Sequence, residues 1–564
     1  MTATRAAGSA ASGAYRAPAP VLVKHSRATH SLMAAAIVAG LVAFVVAALG
    51  IGIRAAEVGT AAVDEPQYLL TAISLAQDGN LDISDERAQG RQEEFHDGVL
   101  PVQTSVLDGG RRVSPHDPLL PVLLAPAMSV AEALGVPGWV GAKVLLAAFA
   151  GLLAAATTWV LGTRWPVPPI WAGGVAAVAG MSAPLAIYGH QVYPELPAAL
   201  AVVVAVAAII PRDAPGEGSA SIEDSAGDVQ QRRRSMVRAV VLVLAISALP
   251  WLSIKYAPVA AALAVVALLR MRRDNPRLAL GTLAALGVSG IAWSVAHQVL
   301  YGGWTAYATG DHFESTGEFS VVGVTPDYLS RSTRLIGLLV DRDYGIAAWQ
   351  PAWLLILPAV GFLVALSRHR GTASLHTAPF RRQPFPDPPA YRLHLDVLLA
   401  PLTAGLLTAT FAALTMHGFW SPGRQIVVVL PLAAMVIAIA GAHLQTHAQV
   451  PLRAVLLGSG LTLALFGVAI HAWTLTAGYA GTLTWVGAPD VTPPPPMQII
   501  RTALPDYREL ATADWALHFG WVVVALALIA SGVMGGRFIT RDNHPVASSL
   551  QPRGLQNTHH ETSR

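Results

Sequence analysis

Cysteine is absent from the 564 residues, which excludes a disulfide framework, a thiolate nucleophile and any zinc site with sulfur ligands. Charge is scarce as well: 13% of residues are charged against 53% hydrophobic, and mean hydropathy is +0.50. That balance leaves too little polar surface for a soluble globule and points to an integral membrane protein. Lysine is nearly missing, with only Lys24, Lys143 and Lys255, so arginine supplies the rest of the positive charge. The formal net charge of +3 gives no basic face of the kind that nucleic acid selects. The abundance of Ala, Val and Arg reads as coding bias in a GC-rich genome. The first thirty residues lack a short apolar core ahead of a cleavage site, so they read as a cytosolic tail and not as a signal peptide.

What is plentiful is apolar sequence. A helix needs roughly 17–25 such residues to cross about 30 Å of hydrocarbon. Twelve candidate runs stand near 32–53, 137–161, 168–187, 195–211, 238–252, 256–270, 277–300, 348–366, 395–415, 425–442, 453–473 and 517–536. The runs 238–252 and 256–270 meet at "LPWLSIKYAP" and read either as a tight outer hairpin or as two tilted helices. Lys and Arg in short loops set orientation. With the amino terminus inside, "GTRWP", "QQRRRSMVR", "RMRRDNPR", "SRHRG" with "FRRQ", "VPLR" and "GGRFITR" all fall on the inner side. The expected fold class is therefore an all-α polytopic membrane protein of about 12 spans with both termini cytosolic. Its parts are tails 1–31 and 537–564, a core 32–442, carboxy-terminal helices 443–536, inner connectors 212–231 and 371–391, and outer segments 54–136, 301–347 and 474–516.

The same orientation sorts the unusual polar residues onto one face. Asp64 and Glu65, "SPHDPLLP" at 114–121, "YGHQVYPELP" at 188–197, "PWLSIKY" at 250–256, "DRDYG" at 341–345 and "HGFWSPGR" at 417–424 all lie at the outer boundary. A charge at a membrane interface costs little by itself, so the convergence of separate segments is the signal. In the first outer segment the two acids precede Pro66 at a helix start. Tyr68, Leu69, Ala72, Ile73, Leu75 and Ala76 then recur mostly at three- and four-residue spacing, as in a helix lying on the membrane surface. A second amphipathic stretch occupies 116–135.

These segments resemble the GT-C superfamily of polyprenyl-phosphate-sugar-dependent glycosyltransferases. The nearest branch contains protein O-mannosyltransferases, the aminoarabinose transferase of lipid A and actinobacterial cell-wall arabinosyl- and mannosyltransferases. "DEPQYL" follows the first span as in that family, and "SPHDPLLPVLLAPAM" is similar to its second juxtamembrane helix. "YGHQVYPELPAAL" is similar to its Glu-bearing entry to a fourth span, "LLVDRDYGIAAWQPAWLLILPA" to a segment with Tyr-Gly and Pro, and "HGFWSPGRQIVVVLPLA" to a late helix start with Arg. The resemblance covers most of 32–442. It departs at His116-Asp117-Pro118, where the family often has Pro and Gly, and lacks the large outer carboxy-terminal domain of some members.

The resemblance implies a GT-C fold with two juxtamembrane helices in the first outer loop. It implies an enzyme of the cell membrane that moves a sugar, mannose or arabinose, from a polyprenyl-phosphate donor to an envelope glycan, glycolipid or protein on the outer face, with inversion. Asp64 would be the general base, with Glu65 orienting the acceptor or sharing the role, each carboxylate raising the other's pKa; the bland alternative is that both cap a helix. Lys255, Arg424, Arg342 and His116 are the candidates for the donor phosphate. Their structural alternatives are an interfacial Lys255 snorkelling beside Trp251 and Tyr256, an outer acid as partner of Arg424, and local pairing of Arg342 with Asp341 and Asp343. Tyr68, Asp117, His190, Tyr193, Glu195, Tyr344 and His417 are candidate substrate contacts; Glu195 reads equally as an acceptor of sugar hydroxyls and as a partner for a basic group. His190, His312 and His417, or Asp64, Glu65 and His116, show no dense ligand spacing, so no metal site is assigned. Some superfamily members use a divalent cation, which leaves Mg or Mn open. The main rival is a multi-pass transporter or lipid-linked-sugar flippase. That reading expects charges near the midplane and two related halves, and neither is seen.

Overall fold

The computed structural model describes residues 22–100, 103, 105–106, 110–165, 167–211, 225–305, 327–373 and 393–542. The apolar runs fold as helices, which satisfy every backbone N–H and C=O within the segment where no water is available. In chain order they are α1 (Leu22–Leu49), α2 (Glu65–Gln77), α3 (Ser84–Ala88), α4 (Leu119–Ala133), α5 (Gly138–Arg164), α6 (Pro169–Gly180), α7 (Leu185–Tyr188), α8 (Glu195–Ile209), α9 (Ser225–Leu252), α10 (Ala257–Asp274) and α11 (Pro276–Tyr301). The longer helices that follow are Ile356–Ala373, Leu395–Leu407, Leu430–His447, Val450–Tyr479 and Thr512–Asp542.

Ten helices among the described residues are long and apolar enough to cross a membrane, and the chain is an all-α, multi-pass membrane protein. Two of the twelve expected spans come out short. The run 168–187 breaks into α6, of 12 residues, which ends ahead of Pro184, and the single turn α7 after it; the run 195–211 gives α8, of 15 residues, which begins after Pro194. Proline is tolerated in a first helical turn but ends a preceding helix, and 15 residues reach about 22 Å where about 30 Å is needed. The ambiguous pair near 238–270 resolves as two helices, α9 and α10, joined by a 3₁₀ turn at Ile254–Tyr256.

Leu430–His447 is the most enclosed span, whereas α11, Val450–Tyr479 and Thr512–Asp542 keep most of their surface at the periphery, the pattern expected of lipid-facing helices. Thr512–Asp542 lies along Ile356–Ala373 at close backbone approach. A Cβ at Gly361 would run into the Ile529 carbonyl oxygen, and one at Gly532 into that of Pro358, so only glycine permits this crossing.

The first outer segment corrects a second expectation. α2 does not lie on a surface: Glu65 through Ser74 are all buried, with α4 packed against them. The helix ends that the charge pattern assigns to the outer side meet there. Tyr479 Oη donates to the Leu49 carbonyl (2.7 Å), Lys143 Nζ to that of Thr60 (2.6 Å), and the Trp485 amide to that of Arg54 (3.2 Å).

Candidate functional site

The chain enters α2 through Val63, whose φ of +57° is unusual for a β-branched residue. Asp64 then occupies the N-cap position without making a side-chain cap hydrogen bond. Its Oδ2 instead accepts from Arg424 Nη2 at 2.9 Å. Arg424 follows Gly423, which has φ +80° and no room for a side chain, since a Cβ there would sit 2.9 Å from both Ile346 and Pro184. Arg424 Nε donates to Glu195 Oε1 at 3.1 Å, and Lys255 Nζ reaches the same oxygen at 2.8 Å. Two carboxylates and two cations thus meet with no formal excess of either sign, and Glu195 is fully buried among them. Tyr193 and Trp420 both lie against the Arg424 guanidinium, with ring centroids at 4.0 and 5.3 Å. His116 stacks on Tyr68 at 4.6 Å. Glu195 Oε2, Tyr193 Oη and Tyr256 Oη are buried here without hydrogen-bond partners, so the group retains polar capacity that a polar ligand could satisfy.

Electrostatics separates the two adjacent acids. Burial alone would raise the Asp64 carboxyl, but the charges of Arg424, His116 and Lys255 and the Arg424 hydrogen bond together hold it below its ordinary 3.8. Glu65 goes the other way: burial pushes it above 4.5 although Lys143 and two backbone amides oppose the shift. The expectation that each raises the other therefore fails for Asp64, because its cationic partners outweigh its acidic neighbour. Glu65 also faces backbone. It accepts from the Val192 amide at 2.6 Å and the Ala62 amide at 3.1 Å, which fastens the start of α2 to the turn before α8. Both contacts hold the carboxylate against backbone at the start of α2.

Of the other sequence candidates, Asp117 sits beside the group and not in it. Its Oδ2 accepts from the Ile254 amide (3.0 Å), its Oδ1 from Trp293 Nε1 (3.3 Å), and His297 Nε2 lies 3.0 Å from Oδ1, so it anchors the turn that carries Lys255. His190 is fully buried against Trp485, ring centroids 4.5 Å apart, outside this group. Arg342, Tyr344 and His417 belong to a second ionic group. Arg342 pairs with neither Asp341 nor Asp343 but with Asp514 (3.3 Å) and Asp506 (3.6 Å). His417 Nε2 lies 3.1 Å from Asp341, and Tyr344 Oη donates to the Gly418 carbonyl at 2.6 Å. Arg501 pairs with Asp343 at 3.2 Å and Arg508 with Asp490 at 2.9 Å. His312 lies outside the described residues.

Sequence reading gave Tyr256 only as an interfacial neighbour of Lys255 and missed Trp420, Trp293 and His297. Trp420 stands four positions from the cation it flanks, a proximity that could have flagged it; Trp293 and His297 lie within an apolar run and carry no such signal. No family model, curated protein or solved structure matches the chain.

Proposed function

We propose that this protein is a membrane glycosyltransferase of the GT-C type that uses a polyprenyl-phosphate sugar as donor. The observation that carries the reading is the meeting of Asp64, Glu195, Lys255 and Arg424, from four separate stretches of sequence, in one half-buried group around a fully buried Glu195 at the helix ends assigned by charge to the outer side. A sugar on a lipid phosphodiester needs two things for transfer: cations for the charge that grows on the departing phosphate, and a base for the acceptor hydroxyl. Arg424 and Lys255 are suited to the first and Asp64 to the second. The acceptor oxygen forms its bond to the anomeric carbon as the carbon–phosphate-oxygen bond breaks, its proton goes to Asp64, and the polyprenyl phosphate leaves as the dianion, with inversion at the sugar. A phosphate arriving at Arg424 competes with Asp64 for the guanidinium, which raises the basicity of Asp64 when the donor is in place. Tyr193, Tyr68 and the remaining Glu195 oxygen are then available to sugar hydroxyls. The donor's lipid would remain among the spans and the acceptor, an envelope glycan, glycolipid or protein, in water beyond them.

The test uses full-length protein in lipid nanodiscs with a panel of labelled polyprenyl-phosphate sugars and envelope acceptors. Transfer of one sugar by wild type, reduced at least about 100-fold in a folded Asp64→Asn variant that still binds donor, is the expected result. Donor binding with undiminished transfer by Asp64→Asn removes the base assignment. Absence of transfer together with donor movement across proteoliposomes replaces the enzyme with a flippase.

A further inference from the structure

At the end of α2 opposite Asp64, three more carboxylates gather. Asp78 is the C-cap of α2, and Asp85 and Glu86 lie in the first turn of α3. One carboxylate oxygen from each comes within 4.8 Å of the others. Gly79, with φ +68°, turns the chain between the two helices. Asp82 lies between them in sequence but is committed elsewhere: its Oδ1 accepts from the Ser84 amide and hydroxyl and from the Arg112 amide. Asp78 and Asp85 face solvent. Glu86 does not: it is 2% exposed, and neither of its carboxylate oxygens has a hydrogen-bond partner beyond its own amide and Asp85. The adjacent Arg87 offers no relief through Nη2, which donates to the Leu100 carbonyl at 3.1 Å. A buried carboxylate with no donor from outside this group, directed at two further carboxylates, is costly as an anion unless a positive charge stands among them.

We propose that Asp78, Asp85 and Glu86 bind a hard divalent cation of the calcium class, which closes the turn between α2 and α3. The donor set is all oxygen, with no imidazole or sulfur, which favours calcium over zinc. The exposed edge formed by Asp78 and Asp85 leaves coordination positions for water, as a calcium ion tolerates. The ion also stands at the carboxyl end of α2, where the helix dipole favours positive charge. It would tie down the far end of the helix whose start carries Asp64, and it does not depend on the glycosyltransferase reading.

The test takes the full chain in nanodiscs, stripped with EDTA, and measures Tm and equilibrium dialysis of labelled calcium. Wild type should bind about one ion per chain with half-saturation of roughly 0.1–1 mM, and Tm should rise along the same curve. The Asp85→Asn/Glu86→Gln double variant should lose both effects, and Asp64→Asn should keep them. Indifference of wild type to calcium up to several millimolar, or binding unchanged in the double variant, overturns the proposal. A response to zinc in place of calcium overturns its hard-cation chemistry.

Discussion

Arg424 serves two acids at once, Nη2 to Asp64 and Nε to Glu195, a geometry that lysine cannot reproduce from a single ammonium. Arg424→Lys is therefore expected to weaken donor binding by about 1.5–3 kcal/mol, roughly 10- to 150-fold, as read by titration of a fluorescent donor analogue. Asp64 gives a prediction with a definite sign. Its folded-state value lies below the ordinary 3.8, so the ion pair contributes fully above that value and is lost as pH falls through the lowered one. The Tm advantage of wild type over Asp64→Asn should be flat between about pH 5 and 7 and shrink below about pH 4; an advantage that grows in acid would contradict the pairing. Asp64, Glu195, Lys255 and Arg424 were all legible as candidates, because each is an ionisable residue at an outer span end where no membrane rule demands it. Which acid meets which cation was not legible, nor was the pairing of Arg342 with Asp506 and Asp514, since these contacts close over 60 to 360 residues of chain.

At the level of elements, α2 shows where periodicity misleads. Apolar positions at three- and four-residue spacing fit a surface helix, but they also fit a helix covered on one side by α4 and fastened at its start by Glu65. Burial of Glu65 could not be read from composition, because its partners are the amides of Ala62 and Val192, which leave no trace in side-chain sequence. Glu65→Ala should cost about 1–3 kcal/mol for each amide left unpaired, and Glu65→Gln, which keeps one carbonyl acceptor, should cost less. Thermal denaturation in nanodiscs orders the two variants, and equal losses would deny the clamp. The existence of the long helices was legible throughout. The shortened α6 was not, because hydropathy continues across Pro184 while the helix does not; α8 starts where its run starts and is short because the helix ends at Ile209, just ahead of Pro211.

For the whole molecule, orientation is open to direct test because the chain has no cysteine of its own. Val99, 95% exposed in the first outer segment, and Asn275, exposed between α10 and α11, lie on opposite sides by the charge pattern. In intact cells or spheroplasts, an impermeant maleimide should label Val99→Cys, whereas Asn275→Cys should react only after permeabilisation; the reverse pattern would invert the topology and with it the side on which the acid–cation group opens. The overall architecture was largely readable because hydrocarbon leaves a chain so few ways to satisfy its backbone.

The crossing of Gly532 on Ile356–Ala373 ties these scales together. Thr512–Asp542 is a single uninterrupted helix, and Asp514 in its first turn holds Arg342 about 27 Å from Gly532 at the helical rise. The last span is thus a lever resting on a glycine fulcrum. One methyl added at the fulcrum would tilt the arm, and its free end would loosen the clasp on Arg342 while the residues of that clasp stayed unaltered.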